Sequence, residues 1–438
     1  MAILILLAKP SEEVLRVSVF KKKSLTQAET EIIENFSALE KRGRQIIAAS
    51  KVAMAFFLKH GLPSRKMEDW HYTDLRTQLN RVAPYSSEAD GRSVAPLIPD
   101  NIVLSTVNGK ALSAPLVSPL CGASFTPLDT LTPDRKATLP QRLSAENMIA
   151  QLNTAFFHDG WKVDVFEDVS LDKIIEIQNI QNGAQSHVCF PVSAEKNSNV
   201  TVIERQIGDD QDSFLSSVSH LDLAEDARVL WIIIRRRGIS STELNQFNAR
   251  LNKNACLKLY VMNIGLGLLR QEINIDLNGN HADFQLRSIN LLSGKSHIDT
   301  TMTVRHLARA TTSKEIMRNV VTDSACGVFQ GAIRVARVAQ KVNAQMVCNS
   351  LILSENAEFD AKPELEIFAD DVTCGHGATV TSIDYDHLFY LMARGIPESQ
   401  ARSMLIKAFV SELVEELNRK EIEDLLQMNV EQWLQMHI

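Results

Sequence analysis

The chain has 438 residues, 45% hydrophobic and 23% charged, with a net charge of −7. Its length allows two or three folding units around a large core. The acidic balance argues against a nucleic-acid or anionic-membrane partner, since no basic field covers the chain. KKK at 21–23 and RRR at 235–237 are isolated and read as solvated surface. Six cysteines (121, 189, 256, 326, 348 and 374) are scattered without CxxC pairs. That pattern argues against a zinc ribbon and a disulfide framework, and free thiols in a reducing compartment are expected.

In chain order, MAILILLA opens the sequence; it lacks a basic flank and a cleavage site and is too short to span a bilayer. No other stretch is long enough, so a cytoplasmic protein is expected. Residues 25–60 keep helical spacing through Ile32, Ile33, Phe36, Leu39, Ile46, Ile47, Met54 and Leu58, and Gly61 and Pro63 end it. RKMEDWHYTDLR begins another short helical piece, and the Pro/Ser/Gly-rich residues 83–100 read as a linker.

From about residue 155 the period changes. NVTVIERQI, ARVLWIII, CLKLYVMNI, EINIDLNG, DFQLRSINLL, GAIRVARV and PELEIFADDV are short strands between Asn, Asp and Gly turns. Asp226-Ala227, Asn254-Ala255 and His281-Ala282 open several of them, with alanines 28 and 27 residues apart. A period in that range marks a solenoid whose coils bury their apolar faces only by stacking. The competing antiparallel sandwich needs more hairpin signals than the single NGN at 278–280.

After residue 382 helix returns. Pro397 suits a first turn, and Met404, Leu405, Ala408, Phe409, Leu413 and Leu417 read as one apolar stripe. A second helix carries Ile422, Leu425, Leu426, Val430, Trp433 and Leu434. Such a pair can close a solenoid end or offer a groove to a partner.

Catalytic motifs fail on spacing. SGKS at 293–296 lacks the earlier P-loop glycine (Ile289 stands there), and GLG at 265–267 lacks the third dinucleotide-fingerprint glycine (Arg270 stands there). NVT at 199–201 is a sequon without meaning in a cytoplasmic protein, and neither GxSxG nor HExxH occurs. No self-contained enzyme is expected. ADDVTCGHGATV at 369–380 is different, because Cys374 and His376 share one face of a strand and both are good ligands for soft or borderline metals. Cys348 lies 28 residues before His376. If the coils keep that length, the two stack on adjacent rungs about 4.8 Å apart.

AKPELEIFADDVTCGHGATV, DHLFYLMARGI, RKMEDWHYTDL, NTAFFHDG at 153–160 and GVFQGAIRV at 327–335 together resemble the SufB/SufD family of iron–sulfur cluster assembly proteins over nearly the whole chain. Gly377 after the histidine, where SufB proteins carry glutamate, and the EDW-Y-T element place the resemblance on the SufD branch. It implies a mainly β fold: a right-handed parallel β-helix flanked by α-helical N- and C-terminal domains. The expected divisions are 1–96, N-terminal helices and linker; 97–154, a connecting segment; 155–382, the β-helix core; and 383–438, helices that bind the ATPase SufC. The implied role is a non-catalytic scaffold that pairs with SufB and binds SufC, with a homodimer possible when isolated. Alternatives are a SufB-like cluster scaffold in its own right, a purely structural partner, and, from another class, a solenoid enzyme acting on polysaccharide. The resemblance makes His376 and Cys374 candidate metal ligands for transient iron or a nascent Fe–S cluster at the SufB interface, with no cofactor held tightly in isolation. CNS at 348–350 departs from the NRN of many SufD proteins toward the CDS of SufB, leaving Cys348 either an extra ligand or without essential role. Met404, Leu405, Phe409 and Leu413 are the implied ATPase contacts.

Overall fold

A computed structural model describes residues 24–41, 48–85, 91–112, 122–131, 147–156, 159–417 and 419–438. KKK, the N-terminal apolar octet and Cys121 lie outside them. Among the described residues nineteen strands form two sheets, parallel except for β2 and β3, that face each other across a side-chain-filled lumen. One sheet, here called B, runs β19-β17-β15-β13-β11-β9-β7-β5-β1-β2, and the other, sheet A, runs β18-β16-β14-β12-β10-β8-β6-β4-β3. Sheet B contains β1 (Ile102–Val107), β2 (Lys110–Ala111), β5 (Ile175–Gln181), β7 (Asn199–Gly208), β9 (Arg228–Arg237), β11 (Cys256–Gly265), β13 (Asp283–Leu292), β15 (Thr312–Val321), β17 (Val342–Ile352) and β19 (Val372–Thr381). Sheet A contains β3 (Ala123–Pro127), β4 (Asp159–Val165), β6 (Gln185–Ala194), β8 (Ser213–Leu223), β10 (Ser241–Leu251), β12 (Leu268–Leu277), β14 (His297–His306), β16 (Cys326–Val335) and β18 (Glu358–Ile367). From β4 onward successive strands change sheets, so each coil is one strand of each and the core is a parallel β-solenoid.

The recurring polar-Ala pair has a backbone cause. Asp226, Asn254 and His281 adopt φ of 61°, 56° and 61°, the left-handed region that Asn and Asp tolerate best among non-glycine residues. Each turns the chain from sheet A into sheet B, and the alanine that follows is fully buried at the corner. NGN at 278–280 marks one of these corners and is no hairpin, because β12 and β13 lie in different sheets. SGKS and GLG are corners on the opposite side, with positive φ at Gly294, Gly265 and Leu266.

Helices cover the outer faces. α1 (Gln27–Lys41), α2 (Ala48–His60), the short α3 (Leu75–Gln78) and α4 (Met148–Phe156) form a cluster that meets sheet A at Phe214, Leu244 and Leu268. The helical stretch expected at 25–60 is therefore described as α1 and α2. Thr26 and Glu29 cap α1 reciprocally: the Thr26 amide donates to Glu29 Oε2 at 2.8 Å and the Glu29 amide to Thr26 Oγ1 at 3.2 Å. EDW is a single 3-10 turn at Glu68–Trp70, pinned to sheet A by Arg270, which stacks 4.4 Å from the Trp70 ring centroid and donates to Asp299 at 2.6 Å. Thr73 donates to the same carboxylate. The supposed linker is also tied down: the Leu97 amide donates to Glu176 Oε2 at 2.8 Å and the Val94 amide to Gln178 Oε1 at 3.1 Å.

α5 (Tyr385–Met392) leads into α6 (Glu398–Glu415) and α7 (Lys420–His437), and the last two lie on sheet B. Ile406, Val410, Leu413, Val414, Ile422, Leu426, Val430 and Trp433 pack on Ile232, Ile234, Tyr260, Met262, Ile289, Leu291 and Val320. Ion pairs Arg287–Glu416 (2.5 Å) and Arg318–Glu412 (3.2 Å) rim this contact. The single apolar stripe expected on α6 is corrected here. Leu413 is 1% exposed against the solenoid, whereas Met404 is 51% exposed on another side of the helix.

RRR at 235–237 is the second correction. Only Arg236 faces outward, to Gln432; Arg235 and Arg237 are 2% and 4% exposed and enter the lumen on the parity of Val229, Trp231 and Ile233. Glu243 pairs with both, at 3.3 Å from Arg235 Nε and closer to Arg237. Periodicity carries the charges inside because one face of β9 is lumenal along its whole length, and a carboxylate from sheet A makes their burial tolerable. Glu243→Ala should strand two buried guanidinium groups and lower stability by roughly 3–5 kcal/mol, read as a reduced denaturation midpoint with unchanged slope. A shift within error of wild type would show that the pair is not buried in solution.

Candidate functional site at the open end of the solenoid

The two ends of the solenoid differ. At the N-terminal end the sheets finish in β2 and β3, which pair antiparallel with β1 and β4 over buried inward side chains such as Leu104 and Trp161. Asp159 ties that cap by accepting from the amides of Ala111, Asp129 and Gly160 at 2.8, 3.0 and 2.8 Å. At the other end β18 pairs only with β16 and β19 only with β17, so among the described residues both end strands keep one unpaired edge.

Parallel in-register stacking turns the interior into columns, one residue per coil. One runs Phe284, Ser313, Ala344, Cys374; the next Leu286, Glu315, Met346, His376; the third Ser288, Met317, Cys348, Ala378. Cys374 and His376 are thus the terminal members of lumen columns. They are reachable because no further coil covers them: Cys374 is half-buried against the core and His376 is exposed. Burial pushes the Cys374 thiol above its ordinary value. Their Cα atoms lie about 6.6 Å apart along the strand. Val380, in the same inward series, is also exposed.

Cys348 does not stack on His376 as the spacing suggested. His376 is paired with Met346, thirty residues earlier, and Cys348 lies under Ala378. The coil lengthens here because the corner at 353–357 holds five residues, where the preceding corners of the same side, 293–296 and 322–325, hold four. Cys348 is fully enclosed, and burial pushes its thiol to about 12 while Asn319 Nδ2 donates to its sulfur at 3.4 Å. Cys189, Cys256, Cys326, Cys348 and Cys374 are all free thiols. No group of three His, Cys, Asp or Glu side chains converges on a metal-binding point among the described residues. One chain therefore offers a thiol and an imidazole, and a complete ligand set needs donors from elsewhere.

Two features behind this end escape sequence reasoning. The first is a polar seam in register through eight coils: Thr106, Asn179, Gln206, Arg235, Asn263, Asn290, Asn319 and Ser350. Asn263 donates to Asn290 and Asn290 to Asn319, each at 2.7 Å, and Asn319 to Ser350 Oγ at 3.0 Å. The second is Glu315, fully buried two coils below His376, with neither carboxyl oxygen hydrogen-bonded among the described residues. Burial raises it to about 8 from an ordinary 4.5.

The sequence comparisons bear on this geometry. Residues 176–409 match the family described as SUF system FeS cluster assembly, SufBD core domain. The chain belongs to the SufBD family. The Escherichia coli iron–sulfur cluster assembly protein SufD is 28% identical over 370 residues, covering 82% of this chain and 86% of that protein. A SufBD family protein of Synechocystis is 26% identical over 81% of this chain and 84% of its own length. Bacillus subtilis SufD is 28% identical over 62% of this chain and 63% of its own. The SufBD match takes in most of the solenoid, including Cys374 and His376, and reaches into α6. Among the described residues, no helix is long and apolar enough to cross a membrane.

An acid whose folded value is raised binds its proton more tightly when folded, so stability falls as pH rises from about 4.5 to about 8. Glu315→Gln should flatten that slope and raise the thermal midpoint by a few degrees at pH 8, with little difference at pH 5. Comparison with wild type isolates this residue from Asp159 and Glu204, whose values burial also raises. Parallel pH profiles for the two proteins would remove the buried-acid assignment.

Proposed function

We propose that this chain is a non-catalytic scaffold subunit of the Suf machinery. It pairs with a SufB-type solenoid through its open end and binds the ATPase SufC through residues 383–438. The observation that carries the reading is the asymmetry of the two ends. Unpaired strand edges beside exposed inward-facing side chains are a surface that another sheet can extend and cover. In that assembly Cys374 and His376 face the partner, which contributes the missing donors for transient iron or a nascent cluster. Thiolate and imidazole are suitable ligands, with thiolate the commoner one in iron–sulfur centres. Closure by the partner excludes solvent, and rearrangement driven by the ATPase uncovers the site. Cys348 enters only as a thiol one coil beneath. A right-handed sense of winding belongs to the same reading, since parallel crossovers take it almost without exception.

The ATPase contact moves relative to the sequence expectation. Leu413 is consumed by the solenoid, while Met404, and partly Leu405 and Phe409, remain accessible beside a second exposed set on α5: Tyr385, Phe389, Tyr390 and Met392. Tyr385 and Phe389 stack at 6.3 Å, and Arg394 lies 3.7 Å above Tyr390, giving a pre-ordered aromatic face suited to a binding hot spot.

Co-purification with SufB and SufC, then anaerobic reconstitution with iron and sulfide, tests both contacts. His376→Ala should leave the complex assembled and reduce retained iron. Phe389→Asp should weaken SufC binding while SufB stays bound. Full iron content and cluster transfer with His376→Ala would refute the end-face role, and unimpaired SufC binding after truncation at residue 395 would refute the helical contact.

A further inference from the structure

The outer face of sheet A carries two in-register rows of polar side chains toward the ends of its middle strands. One row runs His220, Asn248, Asn274 across β8, β10 and β12. The other runs Asp222, Arg250, Asp276 and, on β14, Arg305. Strand alternation turns both rows outward, while the intervening Leu221, Ala249 and Ile275 belong to the lumenal core. The two rows line one cavity of about 40 Å³. It lies toward the other ends of the strands from Phe214, Leu244 and Leu268, where the N-terminal helices meet this sheet.

The polar groups of this cavity are unevenly committed. Arg305 Nε donates to Asp276 Oδ1 at 2.5 Å, and Asn274 Nδ2 donates to Asn248 Oδ1 at 3.2 Å. Asn248 Nδ2 in turn donates to Gln246, outside the lining, at 3.3 Å. Arg250 stands in register between two carboxylates, Asp222 and Asp276, and pairs with neither. It has no hydrogen-bond or ion-pair partner among the described residues. A whole guanidinium fork is thus uncommitted, together with the acceptor oxygens Asp276 Oδ2 and Asn274 Oδ1. Two aspartates and two arginines make the charged lining neutral. A bare anion would meet both carboxylates, and a bare cation both guanidinium groups. A molecule carrying both charges finds a complement for each.

We propose that this cavity binds a small zwitterion, the amino-carboxylate head of a free α-amino acid. The Arg250 fork takes the carboxylate through two parallel N–H donors, and Asp276 and Asn274 accept from the ammonium group. The size agrees. At roughly 10–15 Å³ for each water-sized group the cavity holds about three, which is what one ammonium and two carboxylate oxygens require. The site is on the outer face of the solenoid, separate from Cys374 and His376, and it stands whether or not that pair holds iron.

Calorimetric titration of the full chain with glycine and with L-alanine tests this, with acetate and methylammonium as half-molecule controls. Wild type should bind one equivalent of each amino acid, and each control at least ten-fold more weakly. Arg250→Gln should weaken amino-acid binding at least ten-fold and leave the thermal midpoint of the free protein unchanged, because Arg250 has no partner to lose. Arg250→Lys should weaken it too, since an ammonium group lacks the paired donors, and it decides the matter if Arg250→Gln does not fold. Cys374→Ser/His376→Ala should retain wild-type affinity. No saturable binding of either amino acid by wild type would overturn the proposal, as would wild-type affinity in either Arg250 variant. Acetate binding as tightly as glycine would also overturn it, by making the cavity a plain anion site. So would binding lost in the Cys374/His376 variant, which would place the amino acid on the end face.

Discussion

In-register parallel stacking is the constraint on which the rest of this structure depends. Each coil pairs its backbone with the next and buries its inward side chains only because a neighbour covers them. A residue's environment is therefore set by its column and by how far it stands from an end. Cys374 and His376 show this directly. Two coils lower, their columns hold Ser313 and Glu315, fully enclosed; at the last coil the same inward direction makes a thiol and an imidazole accessible. No special loop is needed to present them. The site exists because the solenoid stops there.

The same stacking explains how charge and amide groups are held inside. Asn263, Asn290 and Asn319 each donate to the equivalent group one coil on, so the donor and the acceptor of each side-chain amide are used within one column. Buried amides satisfied in this way cost little, and they penalise a slip in register, which would leave them unpaired. Arg235 donates to Asn263 at 2.9 Å and so joins the guanidinium pair to this seam. Glu315 breaks the pattern. Its neighbours in the column are Leu286 and Met346, which offer no conventional donor.

Much of the architecture was legible in the sequence because the corners repeat. A polar residue tolerant of positive φ followed by a buried alanine recurs at Ala227, Ala255 and Ala282, and that period indicated coils before any pairing was known. The polar seam carries a similar interval at 235, 263, 290 and 319, but polar residues in strands read as surface, which hides it. That assumption also misplaced Arg235 and Arg237. Position within a coil could not be extrapolated where the corner lengthened, which is why Cys348 meets Ala378 and not His376. Helix faces were least legible. The α6 stripe was sought from spacing alone, but Ile406, Val410 and Val414 share the buried face with Leu413 and turn Met404 outward. The partner proposed for the end face lies outside what one chain's pattern can show, and only the family resemblance pointed to it.

The central claim is that the last coil is an unfinished surface completed by another subunit. Hydrogen–deuterium exchange measures it most directly, because an unpaired strand edge leaves its amides open to solvent and added pairing protects them. Exchange should be compared for the isolated chain and for the chain bound to SufB. The account requires protection in β18 and β19, at Glu358–Ile367 and Val372–Thr381, with β1 and β3 at the capped end unchanged. Unaltered exchange across β18 and β19 in the assembled complex would contradict it.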